Sequence, residues 1–101
     1  MEFGIWQLKE NAPREFHFRG YDCIKDCFDI KNYEVIYNAY LDDFVDEVPD
    51  DIYQALDVIY NIFNVHHPED FHGHSLSVSD IVKINGVNYY CDSWGWKEIK
   101  I

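Results

Sequence analysis

Residues 81 to 91 read IVKINGVNYYC, two apolar runs on either side of Asn85-Gly86. A two-residue connection between antiparallel strands favours a turn in which both central residues take positive φ, and Asn-Gly is the pair that does so at least cost. This segment therefore predicts a hairpin of Ile81–Ile84 and Val87–Cys91. A hairpin buries little alone, so other strands or a helix must cover it. Phe3 to Leu8 is short, apolar and bounded by charge, which predicts a strand. Tyr33 to Tyr40 (YEVIYNAY) is rich in β-branched and aromatic residues and predicts another, with Tyr33, Val35, Tyr37 and Ala39 on one face. Glu15 to Arg19 alternates strictly, which predicts a half-buried strand with Phe16 and Phe18 inward and His17 toward solvent. Lys97 to Ile101 offers a last short strand after the bend Ser93-Trp94-Gly95-Trp96.

Two helices complete the pattern. From about Asp50 to Phe63, the residues Ile52, Leu56, Ile59 and Phe63 recur at helical spacing and form one apolar stripe. Pro49, Asp50 and Asp51 suit its first turn, where carboxylates meet the positive end of the helix dipole, and Asn64 can end it. Tyr21 to Cys27 predicts a short helix with Ile24, Cys27 and Phe28 inward. The fold class is α+β: one domain over residues 1–101, with a mostly antiparallel sheet of five or six strands and two helices.

With 48 % hydrophobic and 18 % aromatic residues, the chain has ample material for a core. No stretch reaches the ~20 apolar residues of a membrane helix. The first ten residues lack the basic and apolar regions of a signal peptide, so a cytoplasmic location is expected. Three cysteines fit a reducing compartment with free, largely buried thiols; Cys23 and Cys27, four apart, supply only half of a zinc site and read as core-packing groups.

Nineteen acids against eight bases give a net charge of −11. Such a charge disfavours nucleic acid and anionic membranes and favours basic partners. Eleven of the acids lie in residues 22–57 with only Lys25 and Lys31 beside them, a local net of −9. Asp42, Asp43, Asp46, Glu47, Asp50 and Asp51 are the candidate partner-binding residues. A solvated connection leading into an acidic helix start explains the same residues as structure. A calcium loop does not, because the D-x-D-x-D-G pattern with its distal Glu is missing.

The stretch His66 to Asp80 (HHPEDFHGHSLSVSD) contains four of the five histidines. His66, His67, His72, His74, Glu69 and Asp70 are zinc-type ligands, but their spacing matches no familiar framework. His74, Ser75 and Asp80 can be assembled into a hydrolytic set, yet neither G-x-S-x-G nor H-E-x-x-H is present. A shape-forming turn explains more. His67-Pro68 disfavours helix, Phe71 anchors, Gly73 allows a corner, and Ser75, Ser77, Ser79 and Asp80 bond nearby backbone while Leu76 and Val78 point inward. In this reading a histidine or two satisfies buried polar groups, and the chain carries no catalytic residue, metal or cofactor.

The run HPEDFHGHSLSVSDIVKINGVNYYCDSWGWKEI resembles the YodL-like domain family, whose members carry a similar block, a hairpin and an aromatic-Gly-aromatic segment. The upstream runs REFHFRGYDCIKDCF and YEVIYNAYLDD look like the same family. The resemblance implies a mobile-element context: phages, conjugative elements, and large proteins associated with countering host defences. It implies no activity for particular residues. The functional expectation is a small acidic protein that inhibits a host nucleic-acid-targeting defence, such as a Cas9-type CRISPR effector, by stoichiometric binding without touching nucleic acid itself. The alternatives are an interaction module in conjugation or phage DNA handling with Trp94 and Trp96 as contacts, and a metal-binding protein using His66–His74.

Overall fold

The strand Glu2–Leu8 (β1) alternates Phe3, Ile5 and Gln7 on one side with Gly4, Trp6 and Leu8 on the other. In the computed structural model, which describes residues 1–101, it pairs antiparallel on both edges. Tyr33–Tyr40 (β2) lies on one side and Ile81–Ile84 (β3) on the other, followed by Val87–Asp92 (β4) and Gly95–Ile99 (β5). The five strands run in the order β2-β1-β3-β4-β5 with every neighbour antiparallel. The β3–β4 turn is the predicted one, with φ of 52° at Asn85 and 80° at Gly86.

Each face of the sheet has its own core. The long helix Ile52–Val65 (α2) crosses one face and buries Ala55, Leu56, Ile59 and Phe63 against Phe3, Ile5, Val82 and Ile84. Asp51 caps it, its Oδ1 accepting from the N–H of Tyr53 at 2.8 Å and of Gln54 at 3.4 Å. The predicted stripe is correct, although Ile52 is only partly covered and the helix runs past Asn64 to Val65. On the other face, Ile24, Tyr33, Ile81, Tyr90 and Ile99 form a smaller cluster. The four-residue helix Tyr21–Ile24 (α1) covers this second core with Phe28 and Ile30 beside it.

Four expectations need correction. Glu15–Arg19 is not a strand. Pro13 starts a 3₁₀ turn over Arg14–Phe16, and the N–H groups of Phe16 and His17 bond back to the carbonyls of Pro13 and Arg14. Phe18 then takes φ 60° and is 65 % exposed, which no extended strand allows. The last strand begins at Gly95, because the turn at Ser93-Trp94 and the φ of 99° at Gly95 bring Trp96 into the β4 ladder. The predicted single face of β2 is broken by a bulge: Ile5 pairs Tyr37 but Trp6 pairs Val35, so Ile36 is the extra residue. Tyr37 and Ala39 accordingly face α2, while Tyr33 joins the opposite core. Finally, helix α1 ends at Ile24, and both Cys23 and Cys27 are exposed; only Cys91 is a buried thiol, and burial pushes it up to about 12. No helix is long and apolar enough to cross a membrane.

Candidate functional site

The connection from β2 to α2 holds all six candidate carboxylates, and its apolar residues explain how they are displayed. Leu41 is fully buried, and Phe44, Val45 and Val48 pack against the α2-side core. The N–H groups of Phe44 and Val45 both bond to the Leu41 carbonyl, at 2.9 and 3.2 Å, so the segment is a defined turn. With those anchors inward, Asp42, Asp43, Asp46, Glu47, Asp50 and Asp51 are all exposed. Two of them have structural work. Asp42 takes the amino group of Met1, which lowers its pKa. Asp51 is the α2 cap, and Asp51→Ala should cost about 1 kcal/mol of stability in urea unfolding; an unchanged midpoint would show that the cap contributes nothing. Asp43, Asp46, Glu47 and Asp50 accept no protein hydrogen bond or ion pair and have no base in their segment.

The histidine stretch is built around Asp80. This carboxylate is 1 % exposed at the mouth of β3. Its Oδ2 accepts from Gln7 Nε2 at 3.1 Å and from the Ser77 N–H at 2.9 Å. Its Oδ1 lies 3.8 Å from His74 Nε2. Gln7 Nε2 also donates to the His74 carbonyl at 2.8 Å, so one β1 amide holds both ends of the turn. Burial pushes the Asp80 carboxyl up to about 7, against the opposing pull of His74, the Ser77 N–H and Gln7. Ser79, at φ 92°, receives the Phe18 N–H on its Oγ at 3.3 Å and the Tyr33 hydroxyl on its carbonyl at 2.6 Å. Burial likewise raises the Tyr33 and Tyr90 hydroxyls.

These hydrogen bonds tie the turn to β1 and to the start of β3. His74 Nδ1 donates to the Ser75 carbonyl at 2.7 Å, and its other nitrogen faces Asp80. The His74 side chain remains about half exposed, 51 %, beside the buried Asp80. His67 Nδ1 is tied to the Pro68 carbonyl, and no three His, Cys, Asp or Glu side chains converge to hold a metal ion. Leu76 is buried and Val78 half-buried, as expected for the inward pair.

The two C-terminal tryptophans differ. Trp94 is 98 % exposed at the tip of the β4–β5 turn. Trp96 leans on α2, with its ring 6.2 Å from that of Tyr60 and its Nε1 donating to Asp57 Oδ1 at 3.3 Å.

The motif block from His67 to Ile99 thus forms one connected unit, from the Asp80 turn through the hairpin to Trp96, and a family model for the YodL-like domain matches residues 2–101. The chain belongs to the YodL-like domain family. No curated protein and no solved structure matches it. In this YodL-like domain the sequence reasoning located the carboxylate belt but missed two arrangements. Gln7 was the readable signal for the first: a polar residue in the inward register of Phe3 and Ile5 demands a buried partner. The second is the set Asp57, Tyr60 and Trp96, where Tyr53, Asp57 and Tyr60 recur at spacings of four and three and so form a second stripe on α2.

Proposed function

We propose that this YodL-like domain is a non-catalytic, stoichiometric binder of a basic nucleic-acid-handling protein in the cytoplasm. The observation that carries the reading is the run Asp43, Asp46, Glu47 and Asp50: exposed, unpaired, free of neighbouring bases, and fixed in place by Leu41 and Phe44. Lysines and arginines arranged for phosphates would meet these carboxylates, and complementary charge would speed the encounter. A Cas9-type CRISPR effector is the most concrete partner, with the domain acting as a mobile-element inhibitor of host defence. Preformed display supports this role, since little ordering entropy is lost on docking.

The test is affinity capture from a bacterial lysate containing a Cas9-type ribonucleoprotein, after nuclease treatment, at low and then moderate salt. A basic protein should be retained and then released as salt rises, because exposed charge pairs are screened. Asp43→Lys, Asp46→Lys and Glu47→Lys together should reduce retention more than about tenfold with the melting curve unchanged, since none of the three is bonded within the fold. Undiminished retention by the triple variant discards the belt as the contact surface.

Trp94 supports the second reading, an interaction module in conjugation or phage DNA handling. A ring exposed to 98 % at a hairpin tip is hot-spot material. Under that reading, retention survives the triple reversal and is lost with Trp94→Ala.

A further inference from the structure

Where α2 passes over β4 and β5, the structure holds a cavity of about 230 Å³ with an unusual lining. Asp57 and Tyr60 come from α2, Trp96 from β5, Asp92 from the end of β4, and Val78 from the Asp80 turn. No lysine or arginine lines it. The Tyr60 and Trp96 rings meet nearly edge to face, at 83° with 6.2 Å between centroids, and both line the cavity. Both carboxylates are held in place by one oxygen. Asp57 Oδ1 accepts from the Trp96 indole, while its Oδ2 has no protein hydrogen bond. Asp92 Oδ1 accepts from the N–H groups of Tyr21 at 3.1 Å and Ser93 at 2.8 Å, and its Oδ2 likewise has none.

We propose that this cavity is an arginine-binding pocket, which takes one guanidinium side chain of the basic partner against Tyr60 and Trp96 with Asp57 and Asp92 as its carboxylate acceptors. The proposal deepens the binder reading above and rests on it for the class of partner. A guanidinium is planar, stacks on aromatic faces and forks to carboxylates, whereas an ammonium is a compact and strongly hydrated point charge. Two aromatic rings and two carboxylates, in a lining with no lysine or arginine, suit the first better than the second. Asp51 and Asp57 are six residues apart on one helix, a rise of about 9 Å and a rotation of about 240°, so the pocket is a second acidic contact on α2 and not an extension of the belt; like the belt, it has no lysine or arginine in its lining.

The experiment uses the full chain, labelled with ¹⁵N, titrated in moderate salt with a blocked oligo-arginine peptide and a blocked oligo-lysine peptide of equal length. Trp96→Phe assigns the indole N–H signal. With oligo-arginine, the Trp96 indole resonance should move, and oligo-lysine should bind roughly fivefold or more weakly. Asp57→Asn and Tyr60→Leu, both at exposed positions, should each weaken oligo-arginine binding roughly tenfold with melting curves near that of the parent. The triple belt reversal should weaken both peptides alike. A Trp96 resonance that stays still, or equal affinities indifferent to Asp57→Asn and Tyr60→Leu, overturns the pocket while the lysate capture still reads the belt separately. A positive titration beside an empty capture keeps the pocket and removes the binder function.

Discussion

Replacing Asp80 by asparagine should abolish most of the loss of stability that the native domain shows as pH rises from about 5 to about 8. Asp80 is buried at the junction of β1, β3 and the turn before it, and burial holds its carboxyl near 7 against an ordinary value of 3.8. Between those values the folded chain keeps a proton that the unfolded chain has released. The unfolded state then binds fewer protons, so stability falls as pH rises, by up to about 1.4 kcal/mol per pH unit. The value near 7 already includes the attraction of His74 and the hydrogen bonds from Ser77 and Gln7, so the fall between pH 5 and pH 7 is on the order of 3 kcal/mol. Tyr33, Tyr90 and Cys91 also face Asp80, but burial raises all three, Cys91 to about 12, and none titrates in this window. An asparagine oxygen can accept from Gln7 Nε2 and the Ser77 N–H as the carboxylate does, so the turn keeps its shape and loses only its proton linkage. Asp80→Ala is a different lesion: it removes the same proton linkage but also strands both donors in a dry site, which should put it about 2–4 kcal/mol below Asp80→Asn across this range. Urea unfolding at a series of pH values from 5 to 8 separates these cases. Parallel pH profiles for native and Asp80→Asn protein would sink the assignment. Because Val78 sits two residues before Asp80 and lines the cavity under Trp96, the same network also sets one wall of the proposed pocket.

What was readable in the chain was whatever a local rule determines. Asn85-Gly86 fixed a hairpin because the turn conformation admits few other pairs. The α2 stripe was readable because a period of three to four residues has one geometric cause. Failures came where a tertiary partner decides. Glu15–Arg19 has the alternation of a strand but pairs with none; β1 already carries β2 and β3 on its two edges, and Pro13 favours a turn. The bulge at Ile36 cannot be seen in YEVIYNAY, because it exists only relative to the β1 register. Cys23 and Cys27 read as core thiols on a helix of two turns, but α1 stops after Ile24, so one residue alone faces inward. The belt was readable as charge. That it is presented by Leu41 and Phe44 as a fixed surface was not, because anchor and display residues alternate without a period.

Phe63→Ala should leave the domain only marginally stable and should weaken belt-dependent binding with it. Phe63 is fully buried in α2, and its ring meets four others: Phe71 at 4.9 Å, Tyr37 at 5.5 Å, Phe3 at 5.9 Å and Phe44 at 6.0 Å between centroids. These five rings join α2, β1, β2, the belt and the turn after α2 into one cluster. Truncation of such a phenylalanine costs about 3–5 kcal/mol, from lost transfer energy and the cavity left behind. Edge-to-face contacts with four rings place this site at the upper end. A domain of about a hundred residues has about 5–15 kcal/mol in total, so the loss is a large share of what holds the chain folded. Phe63→Leu retains most of the volume and should cost about 1–2 kcal/mol, which leaves a folded protein to assay. The functional consequence follows from Phe44, whose ring is the belt's anchor on this cluster. In the leucine variant, that anchor loses one of its two aromatic partners, Phe3 being the other. Capture of the basic partner should then weaken while the Trp96 indole still responds to oligo-arginine, because the belt is loosened and the pocket at the far edge of the sheet is not. Thermal unfolding and the two binding assays on the same preparation read all three effects. If Phe63→Leu protein captures the partner as well as the parent does, the rigid display of the carboxylates is not what makes them bind.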